Sequence, residues 1–159
     1  MRVMLLLTYD ENAQPAEPPG PEVFEAMGRY NTAMVDAGIL LAGEGLTPTA
    51  QGKLLTFDGE PGEEPTVTDG PFSEAKEVVG GFWIIQVGSL DEAVSWARRA
   101  PLGGGSHLQV RRVSETEDFE GIAPQEVLEA EQELRARTER EAERSRTVDA
   151  APQQGSGRP

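Results

Sequence analysis

The stretch from Thr66 to Ile85 constrains the fold more than any other part of the chain. Thr66-Val67-Thr68 is a short β-type run, and Asp69-Gly70-Pro71 ends it with the strongest turn signal in the sequence. Three charged side chains follow at Glu74, Lys76 and Glu77. Val78 to Val87 is then the most apolar strand candidate, and its paired Gly80 and Gly81 predict a bulge or a close contact. Carboxylates thus fall at the rim of a predicted core, where a binding site is expected.

The rest of the chain supplies the partners of that strand. Val3 to Tyr9 is a continuous apolar run, read as a first strand buried in mid-sheet. Glu11 to Gly20 is a loop rich in Pro, Ala and Glu. Pro21 suits the first position of a helix, where no N–H donor is needed. Phe24, Met27, Tyr30 or Asn31, Met34 and Val35 recur at helical spacing and predict a core-facing stripe. Gly38 closes the helix. Ile39 to Leu46 is a second strand, with Glu44 held between Gly43 and Gly45. Lys53 to Asp58 is a third, hairpin-related strand, and Thr66 to Thr68 a hairpin arm. Ser89 to Glu92 forms a capping box for a second helix with Ala93, Val94, Trp96 and Ala97 inward. Ser106 to Val113 alternates apolar and polar residues, as a half-exposed final strand does.

The order is β-α-β-β-(β)-β-α-β. The predicted fold is α+β and ferredoxin-like, an antiparallel sheet with two helices on one face. The other face needs cover, and Tyr9, Leu41, Phe57, Phe82 and Ile84 are the residues expected to point there. A second copy packed sheet to sheet would bury them, so the expectation is a homodimer, a dimeric α/β barrel.

Composition changes from Pro124. Glu126 to Arg146 is almost wholly Glu, Arg, Gln and Ala, with Val127, Leu128 and Leu134 as its large apolar residues. It is predicted as a charged helix with too little apolar face to dock firmly, and 150–159 as a disordered tail. The division is therefore 1–119 for the core domain and 120–159 for the extension. The segment 124–146 reads as a solvated helix or as a docking element for a protein partner.

Charge narrows the function classes. The 159 residues carry 28 acids against 14 Lys and Arg, a net charge of -14. An acidic surface repels phosphate backbones, so no direct nucleic-acid binding is expected. The apolar N-terminal run is too short to span a membrane, and the chain reads as cytoplasmic with no membrane partner. There is no cysteine, hence no thiol nucleophile and no thiolate zinc site. Gly103-Gly104-Gly105 lacks the Gly-Lys-Ser/Thr of a phosphate loop, and Ser73 lacks the Gly-x-Ser-x-Gly elbow of hydrolases. No metal and no cofactor are expected.

The remaining candidates are acids, one imidazole and aromatic walls. Asp69 caps its turn or orients a ligand as a general base. Glu44 and Glu77 fall on neighbouring strands, and clustered carboxylates raise one another's proton affinity. His107 is the one imidazole in the chain, placed at the start of the last strand. The expected catalytic residues are Asp69, Glu44 and His107. Glu77, Phe72, Tyr9 and Trp83 are expected to line the site of a small-molecule ligand.

Thr68-Asp69-Gly70-Pro71-Phe72-Ser73-Glu74-Ala75-Lys76-Glu77, then Gly80-Gly81-Phe82, resembles the signature of DGPF-domain proteins of the YCII-related (YciI-like) superfamily. Ala37 to Leu46 is similar to that family's second block, and Met4 to Leu7 and Val110-Arg111 to its ends. The resemblance covers about residues 1–114. It implies a dimeric ferredoxin-like barrel similar to muconolactone isomerase, and acid–base chemistry of isomerase or lyase type if the protein is an enzyme. Relatives carry a His in the first helix, where this chain has Tyr30 and Asn31, so a His–Asp mechanism would need His107 from another strand. Some relatives are encoded beside extracytoplasmic-function sigma factors. The alternative implied is a non-catalytic accessory role in transcriptional signalling.

Overall fold

The computed structural model describes residues 1–13, 20–72 and 77–149. The chain forms two compact units, Met1–Val113 and Ser114–Pro159. In the first, the strands β1 (Arg2–Tyr9), β2 (Leu40–Gly45), β5 (Val78–Gln86) and β6 (Ser106–Arg112) form one antiparallel sheet in the order β2-β5-β1-β6. Two helices, α1 (Pro21–Asp36) and α2 (Leu90–Ala97), complete this α+β unit. The remaining strands, β3 (Lys53–Thr56) and β4 (Thr66–Asp69), pair only with each other, as a two-stranded ribbon outside the main sheet.

Strand alternation sorts β1 into two faces. Val3 and Leu5 are fully buried and pack with Trp83, Ile85 and Val87 of the β5 region, Tyr30 and Met34 of α1 and Ala93 of α2. Both helices therefore cover one face, where the Tyr30 hydroxyl donates to the Trp96 carbonyl at 3.2 Å and ties them together. Met4 and Leu6 point the other way, opposite Ile84 and Phe82, and all four are only half-buried. This face has no cover within the unit's own sheet-and-helix layers.

Local signals were realised with informative exceptions. Pro21 opens α1, and Gly38 ends it at φ +69. The buried stripe of α1 runs through Tyr30 and Met34, flanked by half-buried Met27 and Asn31, while Phe24 is 66% exposed and Val35 59%. The predicted stripe was thus too broad: residues 27, 30, 31 and 34 already fill the arc that touches the sheet, and 24 and 35 fall outside it. Ser89 accepts from the Glu92 N–H as a cap, but the Glu92 carboxylate accepts from Gly88 N–H instead of returning to Ser89. Of the residues expected on the open face, Phe82 and Ile84 lie there. Tyr9 falls by alternation on the side of Leu5 and Leu7, and Phe57 follows the separate ribbon.

Close approach requires glycine at Gly80 and Gly70 among other positions. Between the pairs Leu7↔Gly81 and Thr8↔Val79 the register slips by one residue, leaving Gly80 as the bulge. A Cβ there would lie 2.4 Å from the Tyr9 ring. At the predicted turn, a Cβ on Gly70 would lie 1.8 Å from the Thr49 carbonyl oxygen. Gly70 N–H donates to Gly52 O at 3.0 Å and Phe72 N–H to the Thr49 hydroxyl at 3.3 Å. Thr49 is itself held by Glu11, which accepts from its N–H at 2.9 Å and from its hydroxyl. The root of the ribbon is therefore a polar knot centred on Thr49.

The second unit contains a 3-10 turn at Thr116–Phe119 and the helix α3 (Gln125–Asp149). Arg135 bridges Glu131 at 3.1 Å, an i,i+4 pair, and Glu115 at 3.0 Å. Leu128 is buried, whereas Val127 and Leu134 are exposed. Among the described residues no helix is long and apolar enough to cross a membrane. The predictions for residues 14–19, for Ser73 to Lys76 and for the tail at 150–159 lie outside the described residues.

Candidate functional site

Two features of the first unit have the chemistry of a site, one on each face of the sheet. On the helix face, a cleft of about 170 Å³ opens between α1 and the sheet. Met27 and Asn31 form one wall, Leu7 and Trp83 the other, and Gly43, Glu44, Gly45, Gly80 and Gly81 line the end. The glycines arise from strand close approach, and together they leave bare main chain where side chains would otherwise fill the space. Trp83 Nε1–H donates to Asn31 Oδ1 at 2.9 Å, and the Trp83 ring meets Tyr30 edge-on at 5.8 Å. With its oxygen committed to Trp83, the Asn31 amide has its NH2 donors left for a ligand. Burial raises the pKa of the Tyr30 hydroxyl, partly offset by Arg99.

On the open face, three strands bring together Thr8, Glu77 and His107. Thr8 pairs with His107 across β1 and β6, and Glu77 immediately precedes β5. The Thr8 hydroxyl donates to Glu77 Oε2 at 2.9 Å, and His107 Nδ1 lies 3.1 Å from Glu77 Oε1. The Glu77 carboxylate thus stands between the Thr8 hydroxyl and the imidazole ring. Among the described residues nothing bonds to Nε2.

The expected gathering of Asp69, Glu44 and Glu77 does not form within the chain. Asp69 pairs with Lys53 across the β3–β4 ribbon, and both are largely exposed. The ribbon carries it because β4 leaves the main sheet, which the sequence pattern of a short β run does not reveal. Glu44 stands on the edge strand β2, opposite Phe82, and makes no hydrogen bond or ion pair among the described residues. By alternation its side chain shares the open face with His107, with β5 and β1 between them, and Glu44 also lines the cleft. Phe72 is half-buried beside Gly52 at the ribbon root. Tyr9 rests over Gly80, and its hydroxyl pKa is raised by burial first and by Glu11 second. Trp83 is both core and cleft wall. Among the described residues no three His, Asp or Glu side chains converge as metal ligands.

Residues 1–117 match the YCII-related domain. The chain belongs to the YCII-related family. This protein is 42% identical over 64 residues to an uncharacterised protein of Rhizobium meliloti (strain 1021). That match takes in 40% of this chain and 49% of the relative, so the chain spans about half the length of the relative it matches. The sequence reading of the YCII-related protein missed Thr8 and Asn31. Thr8 only ends an apolar run, whereas Asn31 falls on the predicted stripe of α1 at the place where relatives carry a His. Only strand register and helix phase show that they face Glu77 and Trp83.

Proposed function

We propose that this YCII-related protein binds a small planar molecule in the cleft between α1 and the sheet, and does so as a homodimer. The cleft carries the reading. Its volume lies below the roughly 300–1,000 Å³ of sites for drug-sized ligands, which points to a fragment-sized one. Trp83 offers a flat wall and Asn31 an amide donor, so a ring bearing a carbonyl or carboxylate acceptor fits best. The sheet order β2-β5-β1-β6, with both helices on one face, supports a ferredoxin-like unit. A second copy laid over Met4, Leu6, Phe82 and Ile84 would complete a dimeric α/β barrel.

A thermal-shift screen with benzoate, benzamide and indole-carboxylates tests the cleft, since a ligand of the native state raises the melting temperature. A Cβ at Gly45 meets nothing within 4 Å, so Gly45→Leu projects into the cleft without a clash at its root. The expected outcome is a ligand-dependent shift in the parent chain that Gly45→Leu abolishes. An equal shift in both chains, or no shift with any of these acceptors, removes the reading.

The second reading is an accessory role in sigma-factor signalling, favoured by Val127 and Leu134. These lie exposed seven residues apart on the otherwise charged α3. Here a chain ending at Glu120 loses capture of the sigma factor. Undiminished capture after truncation counts against docking through α3.

A further inference from the structure

We infer that two copies of this chain meet with β2 of one over β6 of the other, held in that orientation by Glu44 of each copy pairing with Arg111 of the second. The inference rests on the homodimer reading and adds to it the orientation of the copies and the residues that fix it. Register sorts β6 as it sorts β1. Leu108 and Val110 pack against the core under the helices, so Gln109 and Arg111 project from the open face, opposite Leu6 and Met4. At the other edge of the sheet, Glu44 stands opposite Phe82. From edge to edge the open face therefore reads acid, apolar, base: Glu44 on β2, then Phe82 and Ile84, then Leu6 and Met4, then Arg111 on β6. Glu44 and Arg111 are both exposed, and three strand spacings, about 14 Å, separate them within one chain. Among the described residues neither makes an ion pair. The imidazole of His107, on the same edge as Arg111, already faces Glu77 at 3.1 Å.

A closed dimer of one chain has a two-fold axis, so the same patch serves both copies. For two sheets laid face to face, that axis runs in the plane between them. An axis across the strands sets each strand over itself, Glu44 over Glu44 and Arg111 over Arg111. Like charges facing one another in this way are costly. An axis along the strands sets β2 over β6 and keeps the apolar middle on the apolar middle. It carries Glu44 to the height of Gln109 on the second copy, two residues along β6 from Arg111. Packed sheets lie about 10 Å apart, a gap that the two long side chains span between them. Symmetry makes the contact twice. A pair at the rim of an interface gives up part of its hydration, so it selects the orientation more than it adds affinity.

Charge reversal on the full chain tests the pairing, with the dimer dissociation constant read by sedimentation equilibrium. Each copy carries a net charge of -14, so general repulsion and specific pairing predict opposite results at one position. Glu44→Arg makes each copy less negative, and repulsion alone would then tighten the dimer. Pairing instead sets two cations together, and a weakening of roughly tenfold or more is expected. Arg111→Glu is expected to weaken the dimer by at least as much. The double variant Glu44→Arg/Arg111→Glu has the parent's net charge and restores opposite signs across the interface. Its dissociation constant is expected to return to within about threefold of the parent's. Unchanged or tighter association in Glu44→Arg, or a double variant as weak as its singles, overturns the inference and leaves the homodimer standing. A parent chain that stays monomeric overturns the homodimer reading and this inference with it.

Discussion

Truncating Leu5 to alanine lowers the unfolding free energy by about 3 kcal/mol, within the range of about 2–5 kcal/mol for a fully buried leucine. Leu5 has no exposed surface and sits at the centre of the sheet, between Trp83 of β5 and Val110 of β6. Its methyl groups fill the space under Tyr30 and Met34, so removal leaves a void walled by a stiff sheet that does not collapse into it. Urea unfolding followed by circular dichroism reads the change directly as a lower midpoint at an unchanged slope. The matched control is Leu134→Ala on α3, an exposed site where the change stays within about 0.5 kcal/mol. Equal losses at the two positions would mean that the core lies elsewhere.

In the proposed homodimer, replacing Phe82 with glutamate yields a monomer. Phe82 lies between Leu6 and Glu44 on the open face, in the middle of the surface a second copy would cover. A charge buried there on each copy is costly unless it finds a partner. The side chain is only half-buried in the single chain, so the variant keeps its fold. Light scattering at micromolar concentration distinguishes the two states. The net charge of -14 per chain adds a signature: two copies repel, and added salt should strengthen association by screening. A parent chain that is monomeric at all salt concentrations removes the barrel proposal while leaving the cleft untouched.

Much of the architecture was legible in the residues. Pro21, Gly38, the Ser89 cap and the apolar runs at Val3 and Val78 each have a local physical cause, and each marks an element boundary close to the one observed. The Gly80 bulge was readable for the same reason: a strand interior tolerates glycine poorly unless something occupies the side-chain position. The site was less legible, because its contacts are set by register. The unbroken β1–β6 register pairs Thr8 with His107, and the one-residue slip at Gly80 decides which β5 residues share their face. The separation of β3 and β4 from the main sheet decides that Asp69 meets Lys53 and not Glu77. Neither event changes the apolar pattern from which strands are read. Phe24 and Val35 fit a helical period yet stay exposed, since periodicity gives a direction but not the width of the surface waiting for it.

The ribbon of β3 and β4 has a practical consequence for handling the molecule. Two strands alone are marginal in water, and this pair exposes Leu54, Leu55 and Val67, with Phe57 just beyond. Among the described residues its outer edges pair with no further strand, the feature that lets strands of separate molecules add to one another. Self-association at high concentration is expected to begin at this small arm, at the end away from the Lys53–Asp69 pair.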